Sequence, residues 1–419
     1  MVLTRQVEVE MVSISRLVKR VVFLIPLGFF ILIFLWSHRS KGNGAVLKRE
    51  ELEHSEQVGH SNSDLSRRPN RQKTDFHSPA QIAIHPETLP QKHDELTLSK
   101  LKNKTLLFWD WNWNPLGSKF YDLMEVRHCP VKACKLTKDR NLVNQADVVF
   151  FLNGQSTPKT GPTYRHPSQR WVWVEGESPC HSRPLDKSWD GLFNWTMVYR
   201  ADADVLLPYT EIAKRDTPIK KDYFSITKSK KKLVAWMVSN CKTPSRRMDY
   251  VKELQKYIEV DIYGACGPLK CERSGSWGWE TTCLDLLARD YKFYLAFENS
   301  ISLDYVTEKF YKTVNIDIVA VTRGNTNYTR TGIRPEWHIN TDDFNSPKEL
   351  AEYLHMLDKN PEKYVKYLEW KNEYRQLPDR AFCHLCERLH FQEEPPKSYS
   401  WDELNAFFWK DHCLSPKDI

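Results

Sequence analysis

Residues 291–314 carry a set of side chains that could bind a nucleotide diphosphate. They read YKFYLAFENSISLDYVTEKFYKTV, and an aromatic run is followed by two carboxylates, an amide, a phenol and an ammonium: Glu298, Glu308, Asn299, Tyr305 and Lys309. A carboxylate can accept hydrogen bonds from ribose hydroxyls, and an ammonium can neutralise phosphate. An ordinary strand and helix with a solvated Glu–Lys pair fits the spacing equally well, since no glycine-rich phosphate loop accompanies it.

A second segment offers a candidate general base. The run Trp171-Val172-Trp173-Val174 is followed by Glu175-Gly176-Glu177-Ser178-Pro179, so both glutamates lie at the end of a predicted strand. A carboxylate in that place could take a proton from a sugar hydroxyl. The pattern alone hardly separates Glu177 from Glu175, and a surface glutamate in a proline turn is the alternative to both.

The elements that must position these groups are strands followed by helices. Residues 292–297 predict a buried strand, Asp304 a helix cap, and 305–314 a helix. Residues 233–238, 246–258 and 260–263 predict a strand–helix–strand unit and hence a parallel sheet. Ser239 and Asn240 end its first strand. Arg246 and Arg247 open its helix, where a guanidinium can fork onto a pyrophosphate. Ligands bind at the carboxyl ends of such strands.

The whole chain has 419 residues, a net charge of +7 and ten cysteines, none of them before Cys129. The positive charge is spread along the chain and no nucleic-acid-binding motif accompanies it, so we expect no nucleic-acid partner. Residues 21–36 carry no charge and predict a membrane anchor. Cysteines and glycosylation sequons downstream of it predict a lumenal orientation. The sequons begin at Asn103, Asn194 and Asn327.

Composition divides the chain into seven predicted parts. They are a cytosolic tail (1–20), a transmembrane signal-anchor (21–36), a flexible stem (37–103), an N-terminal α/β domain (104–215), a linker (216–232), a C-terminal α/β domain (233–375) and a cysteine-bearing segment (376–419). The stem is rich in charge, serine, histidine and proline and cannot bury a core. The predicted fold class is therefore α/β, preceded by a transmembrane helix and a flexible stem.

The motif FYLAFENS…DYVTEKF resembles the donor-binding signature of the α1,3-fucosyltransferase family, and the resemblance extends over residues 106–413. It implies two Rossmann-like domains facing a cleft (the GT-B type), a type II Golgi membrane protein, and inverting transfer from GDP-fucose. No tightly bound cofactor or required metal is implied, with manganese as an optional stimulant. The matching Glu-Ser-Pro glutamate, Glu177, is implied as the base. The donor-binding residues implied are Ser239, Asn240, Arg247, Glu298, Asn299, Tyr305, Glu308 and Lys309.

The acceptor is less narrowly defined by the resemblance. Residues 234–267 with Lys270 and Cys271 resemble invertebrate and plant enzymes that fucosylate the core GlcNAc of N-glycans. A Lewis-type N-acetyllactosamine or glycolipid terminus is one alternative, and a catalytically silent lumenal glycan-binding scaffold is another. Residues 315–321 depart from the family because its usual Pro-Val-Val is missing.

Two further patterns could in principle bind a metal, but we predict that neither does. Cys383 and Cys386 form a C-x-x-C, for which zinc would need a second pair, and only Cys266 with Cys271 offers one. The family resemblance implies structural disulfides instead, with Cys266, Cys271, Cys283, Cys383 and Cys386 as candidates. Asp202 and Asp204 form a D-x-D, which we interpret as a surface loop without a metal role.

Overall fold

Two parallel β-sheets form the framework that positions the site. The computed structural model describes residues 94–109, 129–153, 161–271, 282–325, 327–377, 381–392, 394–395 and 397–419. Both sheets lie within the same compact unit. Each sheet has a buried cluster of apolar side chains on either face. Parallel strands buried on both faces require nearly continuous apolar runs, which is why the strands are recognisable in the sequence.

The first lobe is built on a six-stranded sheet in the order β2-β1-β3-β4-β5-β6, with every neighbouring pair parallel. A short helix, α1 (Glu95–Ser99), precedes it. Its strands are β1 (Lys104–Phe108), β2 (Cys134–Thr137), β3 (Val148–Leu152), β4 (Arg170–Glu175), β5 (Trp195–Val198) and β6 (Val205–Leu206). Val172 and Trp173 at the centre of β4 are fully buried.

The second lobe is built on a five-stranded parallel sheet. The strand β7 (Ile212–Lys214) leads into it, and the sheet order is β12-β11-β10-β8-β9. The strands are β8 (Lys232–Met237), β9 (Val260–Tyr263), β10 (Tyr291–Ser302), β11 (Val319–Asn325) and β12 (His338–Asn340). The helices are α2 (Tyr223–Ser229), α3 (Arg247–Leu254), α4 (Thr282–Asp290), α5 (Glu308–Tyr311), α6 (Pro347–Lys359) and α7 (Pro361–Glu369).

The chain returns to the first lobe through β13 (Tyr374–Gln376), which pairs antiparallel with β7. Two helices follow, α8 (Ala381–Phe391) and α9 (Trp401–Phe408), and both pack against the first lobe. Phe382 of α8 makes edge contacts with Phe108 and Phe150, and Phe408 of α9 with Trp173. The C-terminal segment is therefore part of the first lobe's core.

All ten cysteines are paired, which confirms the prediction of structural disulfides. The bridges are Cys129–Cys383, Cys134–Cys386, Cys180–Cys413, Cys241–Cys266 and Cys271–Cys283. Three of them tie the C-terminal segment to the first lobe across more than two hundred residues of sequence. Closing such long loops removes much conformational entropy from the unfolded chain.

Local predictions hold well for the strands but not around Asp304. The predicted helix at 305–314 with Asp304 as its cap is wrong, because α5 is a single turn capped by the Thr307 side chain. Asp304 has φ 59°, and its carboxylate instead accepts the Ala201 N–H and the Arg330 guanidinium. The strand before it is also longer than predicted. The segment predicted as a linker contains α2 and the start of β8.

The predicted membrane anchor (21–36) and most of the predicted stem lie outside the described residues. No helix among the described residues is long and apolar enough to cross a bilayer.

The three sequons have different environments. Asn103 and Asn327 are exposed, whereas Asn194 is 6% exposed. The Asn194 amide nitrogen, to which a glycan would be attached, donates to the Lys397 carbonyl at 2.7 Å, and its oxygen accepts the Trp171 N–H at 2.8 Å. A glycan at Asn194 is therefore incompatible with this fold.

Candidate active site

The carboxyl end of β4 in the first lobe and the end of β10 in the second lobe meet directly. The Tyr305 hydroxyl donates to Glu177 Oε2 at 3.1 Å. The Ser178 and Ser300 hydroxyls are hydrogen-bonded at 2.6 Å, and both residues are completely buried. The predicted base and the predicted donor segment, more than a hundred residues apart in sequence, are thus held against each other.

The first-lobe side of this contact carries two neighbouring carboxylates. Glu175 ends β4, and its Oε1 accepts the Glu177 N–H at 2.8 Å. Its Oε2 accepts from Asn153 Nδ2 at 2.7 Å, at the end of β3. Burial raises the pKa of Glu175 to about 7, and the negative charge of Glu177 contributes to the same shift. Glu177 is half-buried, so its carboxylate remains within reach of a ligand.

On the second-lobe side, Glu298 is a buried carboxylate that organises the start of α5. It is 2% exposed, and its Oε1 accepts the Thr307 N–H at 2.9 Å. The Thr307 hydroxyl lies 2.8 Å from Glu298 Oε2, and Lys309 Nζ lies 3.0 Å from the same oxygen. Gly324 on β11 makes room for this residue, because a Cβ there would lie 2.5 Å from the Glu298 Cβ. Its φ of 139° also disfavours any other residue.

Lys309 joins both predicted donor-site carboxylates. Its Nζ lies 3.0 Å from Glu298 and 3.1 Å from Glu308. Burial alone would lower the pKa of Lys309, but the two carboxylates outweigh it and raise the pKa. Burial would likewise raise the pKa of Glu308, but Lys309 and Lys312 lower it to about 2. The ammonium is therefore charged and partly neutralised before any ligand arrives.

Arg247 belongs to the same charged group but is buried. Its Nη1 donates to the Phe297 carbonyl at 2.7 Å and its Nη2 to the Asn240 carbonyl at 3.1 Å. Its Nε is buried without a hydrogen-bond partner among the described residues. Glu298 and Glu308 both stabilise its positive charge electrostatically. Arg247 and Lys309 thus act on the same group of carboxylates.

The remaining predicted donor residues lie at the same edge of the second sheet. Ser239 and Asn240 follow β8 and are exposed. The Asn299 carbonyl accepts the Ser245 N–H at 3.0 Å, ahead of α3. The β10–β11 pairing shifts register between Phe297 and Ser302, so Glu298 and Asn299, which follow the predicted strand, belong to an irregular extension of it. The structure therefore brings every predicted donor residue to one edge.

Three residues beside the site had not been identified from the sequence. Thr307 holds both Glu298 and Lys309, and its position before Glu308 was a recognisable capping signal. Lys312 adds a second ammonium near Glu308, and burial lowers its pKa to about 8. Tyr209 donates its hydroxyl to the Gly176 carbonyl at 2.7 Å and packs near Tyr305, a contact for which the sequence has no local signal.

The D-x-D residues serve in packing between elements. The Asp204 carboxylate accepts the Thr196 N–H at 2.7 Å and the Tyr399 hydroxyl at 2.9 Å, and it pairs with Lys397. Asp202 pairs with Arg200 at 2.7 Å. Both carboxylates are therefore committed to protein donors.

Comparison with known proteins identifies the family. The family model "Fucosyltransferase, N-terminal" matches residues 101–210, and "Glycosyltransferase family 10 (fucosyltransferase) C-term" matches residues 227–405. The chain is 38% identical over 332 residues to glycoprotein 3-alpha-L-fucosyltransferase A of Drosophila melanogaster, covering 76% of this chain. That match spans 63% of the relative, less than two thirds of its length.

One further relative and one solved structure are also similar to this chain. The human 4-galactosyl-N-acetylglucosaminide 3-alpha-L-fucosyltransferase FUT6 is 37% identical over 303 residues, which cover 69% of this chain and 79% of that protein. A crystal structure of an alpha1,3-fucosyltransferase with GDP aligns with a TM-score of 0.46 at 16% identity, covering 75% of this chain and 89% of that one. With family models matching both lobes and relatives of this identity, the chain belongs to glycosyltransferase family 10, the fucosyltransferases.

Proposed function

We propose that this protein is an inverting α1,3-fucosyltransferase that transfers L-fucose from GDP-β-L-fucose to GlcNAc of glycoprotein N-glycans, with the core GlcNAc favoured. The observation that carries the proposal is the contact between Glu177 and Tyr305, 3.1 Å between Oε2 and the hydroxyl. It brings a carboxylate of the first lobe to the donor segment that bears Glu308 and Lys309. Membership of the fucosyltransferase family supports the choice of fucose as the transferred sugar.

In the proposed reaction, Glu177 takes the proton from the acceptor hydroxyl. That oxygen attacks the anomeric carbon as the bond from this carbon to the diphosphate breaks, and inversion turns the β-linked donor into an α product. GDP leaves with the bonding electrons, and Lys309 together with Arg247 stabilises its developing charge. Tyr305 holds Glu177 Oε2, which leaves Oε1 to accept the proton.

The proposed donor contacts follow the geometry of the second lobe. Glu308, whose side chain is 43% exposed, accepts from the ribose hydroxyls, and the ammonium of Lys309 faces the phosphates. Ser239, Asn240 and Asn299 line the same edge. Because cationic side chains hold the diphosphate in this scheme, no metal is required, and manganese is proposed only as a stimulant.

Fewer observations support the preference for a core GlcNAc acceptor than support the fucosyl-transfer reaction itself. Identity to the Drosophila glycoprotein enzyme is 38%, and identity to the human enzyme named for a 4-galactosyl-N-acetylglucosaminide acceptor is 37%, so overall identity does not separate them. The support comes from residues 234–267, which resemble core-modifying enzymes. In the fold they carry the Cys241–Cys266 disulfide beside Ser239 and Asn240.

We also propose that the catalytic part lies in the Golgi lumen behind a single-pass type II anchor. Five disulfides within the described residues suit an oxidising compartment and would not persist in a reducing cytosol. The exposed Asn103 and Asn327 would then carry the N-glycans.

The experiment that tests this function is transfer from GDP-fucose to defined glycans. The full-length chain is incubated with a core N-glycan acceptor and, separately, with an N-acetyllactosamine terminus, and the added fucose is located by fragmentation mass spectrometry. We expect an α1,3-linked fucose on the core GlcNAc. Transfer only to N-acetyllactosamine would refute the proposal that the core GlcNAc is the acceptor. GDP-fucose binding without transfer to any glycan would favour the scaffold alternative.

A further inference from the structure

The proposed reaction uses one of the two carboxylates at the end of β4 and leaves Glu175 without a role. Glu175 is nevertheless the more firmly held of the two. One of its oxygens accepts the Glu177 N–H at 2.8 Å, and the other accepts Asn153 Nδ2 at 2.7 Å. Asn153 is itself fixed, because its N–H donates to the Val174 carbonyl and its amide to the Arg183 carbonyl.

The surroundings of Glu175 do not neutralise its charge. The groups that face it are Asn153 from the end of β3, Tyr199 from the end of β5 and Glu177 of its own turn. The donors to its two oxygens, the Asn153 amide and the Glu177 N–H, are both neutral. The pKa of Tyr199 is raised by burial, so that phenol stays neutral. Keeping an ionised carboxylate buried with only neutral donors, beside a second carboxylate, is energetically unfavourable. Such unfavourable burial is typical of functional sites.

We infer that Glu175 is a positioning residue for the proposed base: it holds the Gly176–Glu177 turn by accepting the Glu177 N–H. This inference rests on the proposed function. The Gly176 turn is held from its other side by the Tyr209 hydroxyl, 2.7 Å from the Gly176 carbonyl. Glu175 and Tyr209 therefore clamp the main chain from which Glu177 projects.

The clamp depends on ionisation because both Glu175 oxygens face N–H donors. The ionised carboxylate accepts both hydrogen bonds, whereas a proton on either oxygen competes with one donor. Burial raises the pKa of Glu175 to about 7, so the carboxylate is present above that pH and is lost as the pH falls through it. Transfer should therefore decline on the acid side with a midpoint near 7, and GDP binding in the other lobe should not follow this decline.

The test compares Glu175→Gln with Glu175→Asp in the full-length chain, measuring kcat, KM for GDP-fucose and GDP affinity from pH 5.5 to 8.5. We expect Glu175→Gln to lower kcat roughly tenfold at pH 7.5 and to leave KM for GDP-fucose unchanged. The decline of kcat below about pH 7 should also disappear in this variant. Glu175→Asp retains a carboxylate, so it should have an intermediate kcat that still declines at acid pH. Asp147→Asn is the matched control, because Asp147 also accepts a main-chain N–H, from Thr105, but on another edge of the sheet.

The outcomes separate this inference from the proposed function. If Glu177→Gln is inactive while Glu175→Gln keeps the wild-type kcat and pH profile, only the positioning role is refuted. If Glu175→Gln is inactive and Glu177→Gln is active, Glu175 is the base itself, which overturns both assignments. Should Glu175→Gln fail to fold, a wild-type kcat and pH profile for Glu175→Asp would still refute the inference, since the shorter side chain cannot make both contacts.

Discussion

The two strand ends that form the site hold their carboxylates in opposite ways. At the end of β4, Glu175 is surrounded by an amide, a phenol and main-chain N–H groups. At the end of β10, Glu298 and Glu308 share one ammonium, with Lys309 Nζ 3.0 and 3.1 Å away. Both ends combine burial with two acidic residues, yet among the described residues a cation contacts the carboxylates only at the end of β10.

The difference is visible in the proton affinity of the carboxylates. Burial raises the pKa of Glu175 to about 7, and it also raises the pKa of Glu298 in spite of Lys309. Only at Glu308 do Lys309 and Lys312 overcome burial and lower the pKa to about 2. A carboxylate must bind a proton to act as a base, and Glu308, which two lysines keep ionised, does so poorly. Glu308 therefore stays charged, whereas Glu175 changes its charge near neutral pH.

The largest expected effect comes from removing the proposed base. Glu177→Gln should lower kcat by about 10²–10⁴-fold, because the amide cannot accept the acceptor's proton, and should leave GDP affinity within about twofold. Single-turnover rates and GDP titration measure the two effects. Glu352→Gln, an exposed glutamate on α6, is the matched control and should leave both unchanged. Near-wild-type turnover of Glu177→Gln would show that the base has been misassigned.

The second-largest effect is expected from removing the Lys309 ammonium of the second lobe. Lys309→Met should weaken GDP binding at least tenfold and lower stability by about 3–5 kcal/mol, because it leaves the 2%-exposed Glu298 without its cation. Chemical denaturation and GDP titration measure these losses. Adding Glu298→Gln should recover most of the stability but not GDP binding. If the double variant also regains GDP binding, Lys309 serves the fold and does not contact the nucleotide.

The smallest effect is expected at Glu308, whose side chain is 43% exposed. Glu308→Gln should raise KM for GDP-fucose about fivefold, since the amide oxygen can replace only part of the carboxylate's hydrogen bonding to ribose. The free energy of unfolding should change by less than about 0.5 kcal/mol, because solvent screens this pair. A drop in kcat at unchanged KM would contradict the ribose role and would imply that Glu308 acts on the reacting sugar.

Local sequence signals predicted the regular elements well. The β9 bounds agree with the prediction. The sequence Ser346-Pro347-Lys348-Glu349 is a capping pattern, and α6 begins there at Pro347 with the Ser346 hydroxyl accepting the Glu349 N–H. These signals work because an apolar run or a cap acts within a few residues. The prediction fails at β10, where Glu298 looks like the end of a strand but continues it, since Thr307 and Lys309 satisfy its buried carboxylate.

Neighbouring residues along the chain are enough to predict which residue types lie at strand ends, the α/β alternation and the resemblance to fucosyltransferases, because all three depend on local sequence. Folding brings Glu177 to Tyr305, buries Asn194 and places Asp304 against Ala201 and Arg330, contacts that join segments distant in sequence. It also decides the ionisation of Glu175 and Glu308. A carboxylate's pKa depends on burial and on charges brought near by folding, and neither is a property of the local sequence.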